Sequence, residues 1–171
     1  MLQLANLQTI LKILTHPTWD LLVIFFFVAA GFFYGITSGK KKLIAALFSI
    51  YISGLVFKNF SYLDAFVKNR PLIETFLFRA GAFAILVILL TFLFNKILPR
   101  DYVSGTREWW KIILLSILEA GLLMSLIFQL LPVKEIFNLS PFVKNIFASS
   151  RAFFWWLILP LVALFFIVRK R

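Results

Sequence analysis

The chain alternates between long apolar runs and short segments that carry its charges. A helix needs about 20 apolar residues to cross the hydrocarbon core of a bilayer. The second run is uncharged only as far as Phe57, but the long side chain of Lys58 extends it by reaching the headgroup layer. The pattern predicts an all-α, polytopic membrane protein with about five transmembrane helices, at residues 21–39, 43–63, 75–95, 110–131 and 152–168.

Two further segments have helical periodicity but are too polar to span. In residues 1–17, Leu4, Leu7, Leu11 and Leu14 recur at helical spacing. This segment is predicted to be an amphipathic helix, either lying in the membrane interface or packed on the bundle. Residues 134–149 are a second amphipathic piece, whose apolar side chains face lipid or the bundle.

The first predicted span ends in glycines four residues apart, at Gly31, Gly35 and Gly39, followed at once by three lysines. This spacing puts the glycines on one helix face, where a neighbouring helix can approach closely in lipid. The small residues of the second span are the expected counterpart: Ala45, Ala46, Ser49, Ser53 and Gly54. Two alternatives remain open. In the first, Gly39 is only a helix C-cap, and Gly31 and Gly35 have no packing role. In the second, the hairpin formed by the first two spans enters the membrane without fully crossing it.

Composition supports a membrane environment. Of the 171 residues, 62% are hydrophobic and 22 are Phe, and the mean hydropathy is +0.97. A soluble domain is roughly 45–50% apolar. A fold of this size cannot bury so much apolar surface, so lipid must solvate much of it.

The formal charge of +11 comes from Lys and Arg that flank the apolar runs. We therefore expect anionic lipid headgroups as the partner, and no nucleic acid. A second copy of the chain or another membrane protein is a further candidate partner. The headgroup-anchoring residues are predicted to be Lys40, Lys41, Lys42, Trp109, Trp110, Trp155 and Trp156.

The basic residues also predict the orientation. With five spans, one side carries Lys40–Lys42, Lys96, Arg100, Arg107, Lys111 and the final Arg-Lys-Arg, and it holds more basic residues in short loops than the other. The positive-inside rule then places the N-terminus outside and the C-terminus in the cytoplasm.

Little in the chain can support catalysis. It has one His, no Cys and seven acidic residues, and no G-x-S-x-G, H-E-x-x-H or P-loop motif. The sequence predicts no enzyme, no catalytic or metal site and no cofactor.

The polar residues inside the predicted spans are the candidates for chemistry. Glu119 falls near the middle of the fourth span, where a carboxylate costs about 2.5–3.5 kcal/mol. One hypothesis is a proton or ion relay or a polar substrate contact; the other is a structural ion pair with Arg79, about a turn inside the third span. Gln129 is predicted to hydrogen-bond between helices.

The first hairpin resembles a known family. An acidic residue at the membrane edge (W-D-L-L-V-I) precedes glycines and basic residues (G-I-T-S-G-K-K-K), and a span rich in small residues follows (L-I-A-A-L-F-S-I-Y-I-S-G-L-V-F). Over roughly residues 19–131 this is similar to the bacterial colicin V production protein family. Glu119-Ala120-Gly121 departs from it, because family members usually carry glycines and an Arg in the fourth span. The fifth span and the amphipathic N-terminus look like additions.

The resemblance implies a non-enzymatic, multi-pass protein of the bacterial inner membrane, a scaffold or accessory subunit in toxin production or envelope maintenance. The rival interpretation is a small channel or secondary transporter that uses Glu119. A carrier needs a polar, water-accessible cavity, whereas a scaffold can be solid.

Overall fold

The computed structural model describes residues 19–60, 62–68, 70–97, 109–136 and 140–169. The predicted amphipathic helix at residues 1–17 lies outside the described residues, as does most of the connector between the third and fourth predicted spans.

The described part of the chain is helical and contains no strand, which confirms the all-α prediction. A π-helical turn at Lys144–Ala148 follows the seventh helix. The helices are α1 Trp19–Ser38, α2 Lys40–Lys58, α3 Tyr62–Val67, α4 Leu72–Ile97, α5 Trp109–Leu130, α6 Val133–Ile136, α7 Pro141–Val143 and α8 Ser150–Arg169.

Among the described residues, 3 helices are long and apolar enough to cross a membrane: α4, α5 and residues Ser150–Ile167 of α8. The third, fourth and fifth predicted spans are therefore helices of spanning length. The stretch Ile24–Thr37 of α1 is apolar but shorter, and the lysines that open α2 lower its hydropathy. The fold is thus a helical membrane-type structure in which the number of crossings remains a prediction.

The boundary between α1 and α2 is shorter than the predicted spans imply, since those spans leave Lys40–Lys42 between the two helices. Gly39 alone separates the two helices, with φ at +83°. This left-handed conformation is open to glycine and costly for other residues. Lys40–Lys42 form the first turn of α2, because the change of direction is completed within one residue.

The helix α5 is at the centre of the bundle. It packs against α1, α2 and α8, whereas α4 packs mainly on α2. Within their most apolar windows, 56% of α5 is buried, compared with 6% of α4 and 17% of α8. The helix α2 also has nine buried residues. The core is therefore formed by α5 and α2, and the outer faces of the surrounding helices are apolar.

Specific contacts fix the helix directions. Gly31 lies against Ser116, and Gly35, one turn later in α1, lies against Ile112, one turn earlier in α5, so α1 and α5 are antiparallel. Gly35 also meets Leu43 at the start of α2. Near the end of α2, Gly54 meets Leu126, so α2 and α5 run parallel.

The orientation of α4 follows in the same way. The ring of Phe57, near the end of α2, lies 5.4 Å from the ring of Phe83 in the first half of α4. Near the end of α4, Asn95 Nδ2 donates to the hydroxyl of Tyr34 at 3.4 Å, close to the start of α2. The helices α2 and α4 are therefore antiparallel.

Candidate functional site

The glycines of α1 lie against α5 and the start of α2. Their nearest neighbours do not include the small residues of α2 that were predicted as their counterpart. A Cβ atom added at Gly35 would lie 2.5 Å from Leu43 Cδ1 and 2.6 Å from Ile112 Cγ2, so any side chain there would require both neighbours to move. At Gly31 the added atom would lie 3.6 Å from Ser116 Cβ, an ordinary contact. The close approach thus occurs where α1, α2 and α5 meet.

The two other glycines predicted to pack have different surroundings. A Cβ at Gly54 would lie 2.9 Å from Leu126 Cδ2, the end of a flexible side chain. At Gly39 nothing lies within 4 Å, and the positive φ is what requires glycine there. Gly54 therefore contributes to the α2–α5 interface, and Gly39 forms the turn.

The closest approach in the bundle involves Gly121, which the sequence analysis singled out only as a departure from the family pattern. A Cβ atom at Gly121 would overlap the indole ring of Trp156 in α8. The same ring stacks on Phe147, with centroids 5.4 Å apart and planes inclined by 13°. The indole is held between the backbone of α5 and the π-helical turn.

Hydrogen bonds fix the π-helical turn in this position. Trp156 Nε1 donates to the carbonyl oxygen of Ile146 at 2.8 Å, and Ser125 Oγ donates to the carbonyl oxygen of Phe147 at 3.1 Å. Backbone carbonyls in an apolar environment need such partners. The apolar side chains of residues 134–149 were predicted to face either lipid or the bundle. Val143 and Phe147 are buried, so these two side chains pack on the bundle.

A tyrosine supports α8 near its proline. Pro160 lies inside α8, where it removes a backbone donor and disturbs the carbonyls of the preceding turn. The hydroxyl of Tyr51 in α2 donates to the carbonyl oxygen of Leu157 in that turn. The carbonyl that loses its helical donor to Pro160 is that of Trp156, four residues earlier. The bond from Tyr51 therefore supports the same turn at the next carbonyl along the chain.

Glu119 lies on the face of α5 that meets α1 and α2. It is seven residues from both Ile112 and Leu126, and residues at this spacing share a face. Ile112 contacts Gly35 of α1, and Leu126 contacts Gly54 of α2. The carboxyl group is thus placed midway along the junction of three helices.

The carboxyl group of Glu119 has an unsatisfied atom. Its Oε2 is buried and has no hydrogen-bond partner among the described residues. Arg79 is on α4, which packs mainly on α2, and it does not donate to Oε2. Gln129, predicted to bond between helices, is exposed near the end of α5.

The predicted headgroup anchors fall into two groups. Trp109, Trp110 and Trp155 are exposed, whereas Trp156 is packed as described above. Lys40 and Lys41 are partly buried, and Lys42 is exposed. Lys111, which follows the tryptophan pair, is only 5% exposed, and its Nζ lies 5.7 Å from the ring centroid of Trp110.

Sequence reasoning missed Tyr51, Ser125 and the stacked pair of Phe147 and Trp156. Pro160 indicates a turn of α8 that lacks a backbone donor, but it does not predict that Tyr51 donates to Leu157. No such signal marks Gly121 as the position that receives Trp156, because the pairing depends on the fold of residues 133–149.

Comparison with known proteins adds no assignment. No protein-family model matches the chain, and no curated protein or solved structure is significantly similar to it.

Proposed function

We propose that the protein is a multi-pass scaffold or accessory subunit of the bacterial inner membrane, without enzymatic activity, of the colicin V production type. It acts in toxin production or in maintenance of the cell envelope. The observation that carries the proposal is the close packing of α1, α2 and α8 on α5, at Gly35 and Gly121. Packing of this kind gives a rigid membrane body with apolar outer faces.

The lengths of the helices support five crossings. At 1.5 Å per residue, α1 with 20 residues and α2 with 19 are each about 30 Å long, which is the thickness of the hydrocarbon core. The antiparallel pairs α1–α5 and α2–α4 support the alternating arrangement. In this arrangement the N-terminus is outside and the C-terminus is in the cytoplasm.

Genetic complementation tests the scaffold role. In a bacterium whose gene for this protein has been deleted, the wild type and Glu119→Gln should restore envelope integrity equally. Envelope integrity is measured as resistance of the cells to detergent. Gly121→Leu should not restore it, because leucine cannot fit under Trp156. A scaffold role is contradicted if Glu119→Gln fails to complement although it accumulates in the membrane as the wild type does.

The buried, unpartnered Oε2 of Glu119 favours one second candidate, a channel or secondary transporter. An ionisable group at this depth is expensive and usually has a function. Here a proton or cation would bind the carboxyl group at the junction of α1, α2 and α5.

Flux in liposomes tests this second candidate. If Glu119 relays protons, Glu119→Gln abolishes proton flux, and Glu135→Gln, which removes an exposed carboxyl group, leaves it unchanged. Equal proton flux for the wild type and Glu119→Gln would contradict the relay, because Glu119 is the residue on which it depends.

A further inference from the structure

The short helix α3, between the end of α2 and the start of α4, has two different faces. Leu63 and Val67, four residues apart, are buried in the bundle. Tyr62 and Phe66 have the same spacing but are 74% and 66% exposed. Residues four apart share a helix face, so one face fixes α3 to the bundle and the neighbouring face presents aromatic rings to the outside.

The exposed rings form a continuous surface. Phe60, just before α3, is exposed, and its ring lies 6.0 Å from the ring of Tyr62. The ring of Phe66 lies 6.3 Å from the ring of Phe78 in α4. We call Phe60, Tyr62 and Phe66 the aromatic face. Through Phe78 it continues onto the outer side of α4, where Leu77 is also exposed.

The position of Phe78 along α4 gives the depth of the aromatic face. At the opposite end of the bundle, Asn95 of α4 hydrogen-bonds to Tyr34, close to the α1–α2 turn. Phe78 and Asn95 are 17 residues apart in α4, which is about 26 Å along a helix. The hydrocarbon core is about 30 Å thick. A helix that crosses it therefore brings Phe78, and Phe66 beside it, to the boundary between acyl chains and headgroups.

The charges around the aromatic face nearly balance. Residues 58–74 contain three basic and two acidic residues: Lys58, Lys68, Arg70, Asp64 and Glu74. Arg70 lies 3.8 Å from Glu74. The affinity of this surface for a partner is therefore due to apolar contact of the rings and not to net charge.

We propose that α3 lies in the lipid–water interface opposite the α1–α2 turn and inserts the aromatic face among the glycerol groups and upper acyl chains. The inference rests on the proposed membrane location. Lipid is the occupant that fits, because the face lies at this depth and continues the apolar outer side of α4. Tyrosine suits the boundary, since its ring is apolar and its hydroxyl is polar.

Spin labels at single cysteines test the proposal in reconstituted vesicles. The chain has no cysteine, so Tyr62→Cys and Phe66→Cys can each carry one nitroxide, and each variant keeps the other two rings. Power saturation in electron paramagnetic resonance compares collisions with oxygen, which concentrates in lipid, and with a water-soluble nickel chelate. The ratio of oxygen to nickel collisions should be higher at both positions than at the control Lys68→Cys, an exposed polar position just after α3.

The same ratios should stay unchanged in high salt, because apolar contact is not screened. Equal access of the nickel chelate to positions 62, 66 and 68 would place the aromatic face in water and overturn the proposal. Labels at 62 and 66 that neither reagent reaches would mean that a protein covers the face, which would also overturn it.

A reference label separates this proposal from the proposed function. Ile88 is exposed near the middle of α4, and Ile88→Cys should be reached by oxygen and not by the nickel chelate. If this holds while positions 62 and 66 are in water, the interfacial position of α3 is wrong and the proposed function stands. Access of the nickel chelate to Ile88→Cys would contradict the membrane location and both proposals with it.

Discussion

The helices α4 and α5 are both long and apolar, and each contains only a few charged residues. Nevertheless, α5 is largely buried in the bundle and α4 is largely exposed on its outside. In their most apolar windows, 6% of α4 and 56% of α5 is buried. Each also contains a cluster of small residues, Ala80-Gly81-Ala82 in α4 and Ala120-Gly121 in α5. Hydropathy and small residues therefore predict a membrane helix but do not predict which helices it contacts.

The largest effect is expected at the two glycines of these clusters. Gly121→Leu should lower the free energy of unfolding by about 3 kcal/mol or more, because the side chain would enter the space of a ring that is stacked on Phe147. Gly81→Leu should change it by less than about 0.5 kcal/mol, because nothing lies within 4 Å.

Thermal unfolding in detergent, followed by circular dichroism, measures both variants. Equal destabilisation of Gly121→Leu and Gly81→Leu would remove the distinction between a core helix and a peripheral one.

The next effect concerns the face of α1 that meets α5. Gly35→Leu should destabilise the protein by about 2–3 kcal/mol, since Leu43 and Ile112 would both have to move. Ile36→Leu is the control, because Ile36 is exposed on the outer surface of the same helix. Equal midpoints of thermal unfolding for these two variants would contradict the packing of α1 on α5.

A smaller effect is expected from the hydrogen bond of the indole. Trp156→Phe keeps an aromatic ring but leaves the carbonyl of Ile146 without its donor, at a cost of about 1 kcal/mol. Trp155→Phe, at an exposed position of the same helix, should cost less. A larger loss for Trp155→Phe in the same detergent melts would show that the π-helical turn is not held in this way.

The smallest effect is expected on α4. Asn95 forms a long hydrogen bond to Tyr34, and its Oδ1 is buried without a partner in the described structure. Replacing a poorly satisfied polar group by an apolar one of similar shape is nearly neutral, so Asn95→Leu should change the unfolding free energy by less than about 1 kcal/mol. Denaturation of this variant beside the wild type checks the value, and a loss as large as that of Gly35→Leu would give α4 a core role.

Part of this arrangement could be predicted from the sequence. The run lengths predict the helices, since α4, α5 and α8 match the third to fifth predicted spans within a few residues. The glycine spacing predicts a face for close packing, but it does not identify α5 as the helix that meets Gly35. In lipid, apolar residues that face the membrane and those that face a helix are alike in composition.

The surroundings of Glu119 could be predicted only in part. Its depth follows from its position in the run, and the cost of a carboxylate predicts that it faces inward. Its place at the junction of α1 and α2 depends on which helices pack on α5. The position of Trp156 could not be predicted, because its ring is placed by the π-helical turn, a structure that periodicity does not indicate.

Labelling of single cysteines tests the central proposal, that five helices, with α5 at their centre, cross the membrane. The chain has no cysteine, so Ser38→Cys, Asn69→Cys, Ser104→Cys, Asn138→Cys and a cysteine added after Arg171 can each be labelled alone with a membrane-impermeant maleimide in intact cells. The account predicts labelling from outside at positions 69 and 138, and protection at 38, 104 and the C-terminus. Labelling of positions 38 and 69 from the same side would contradict it, because α2 would then not cross.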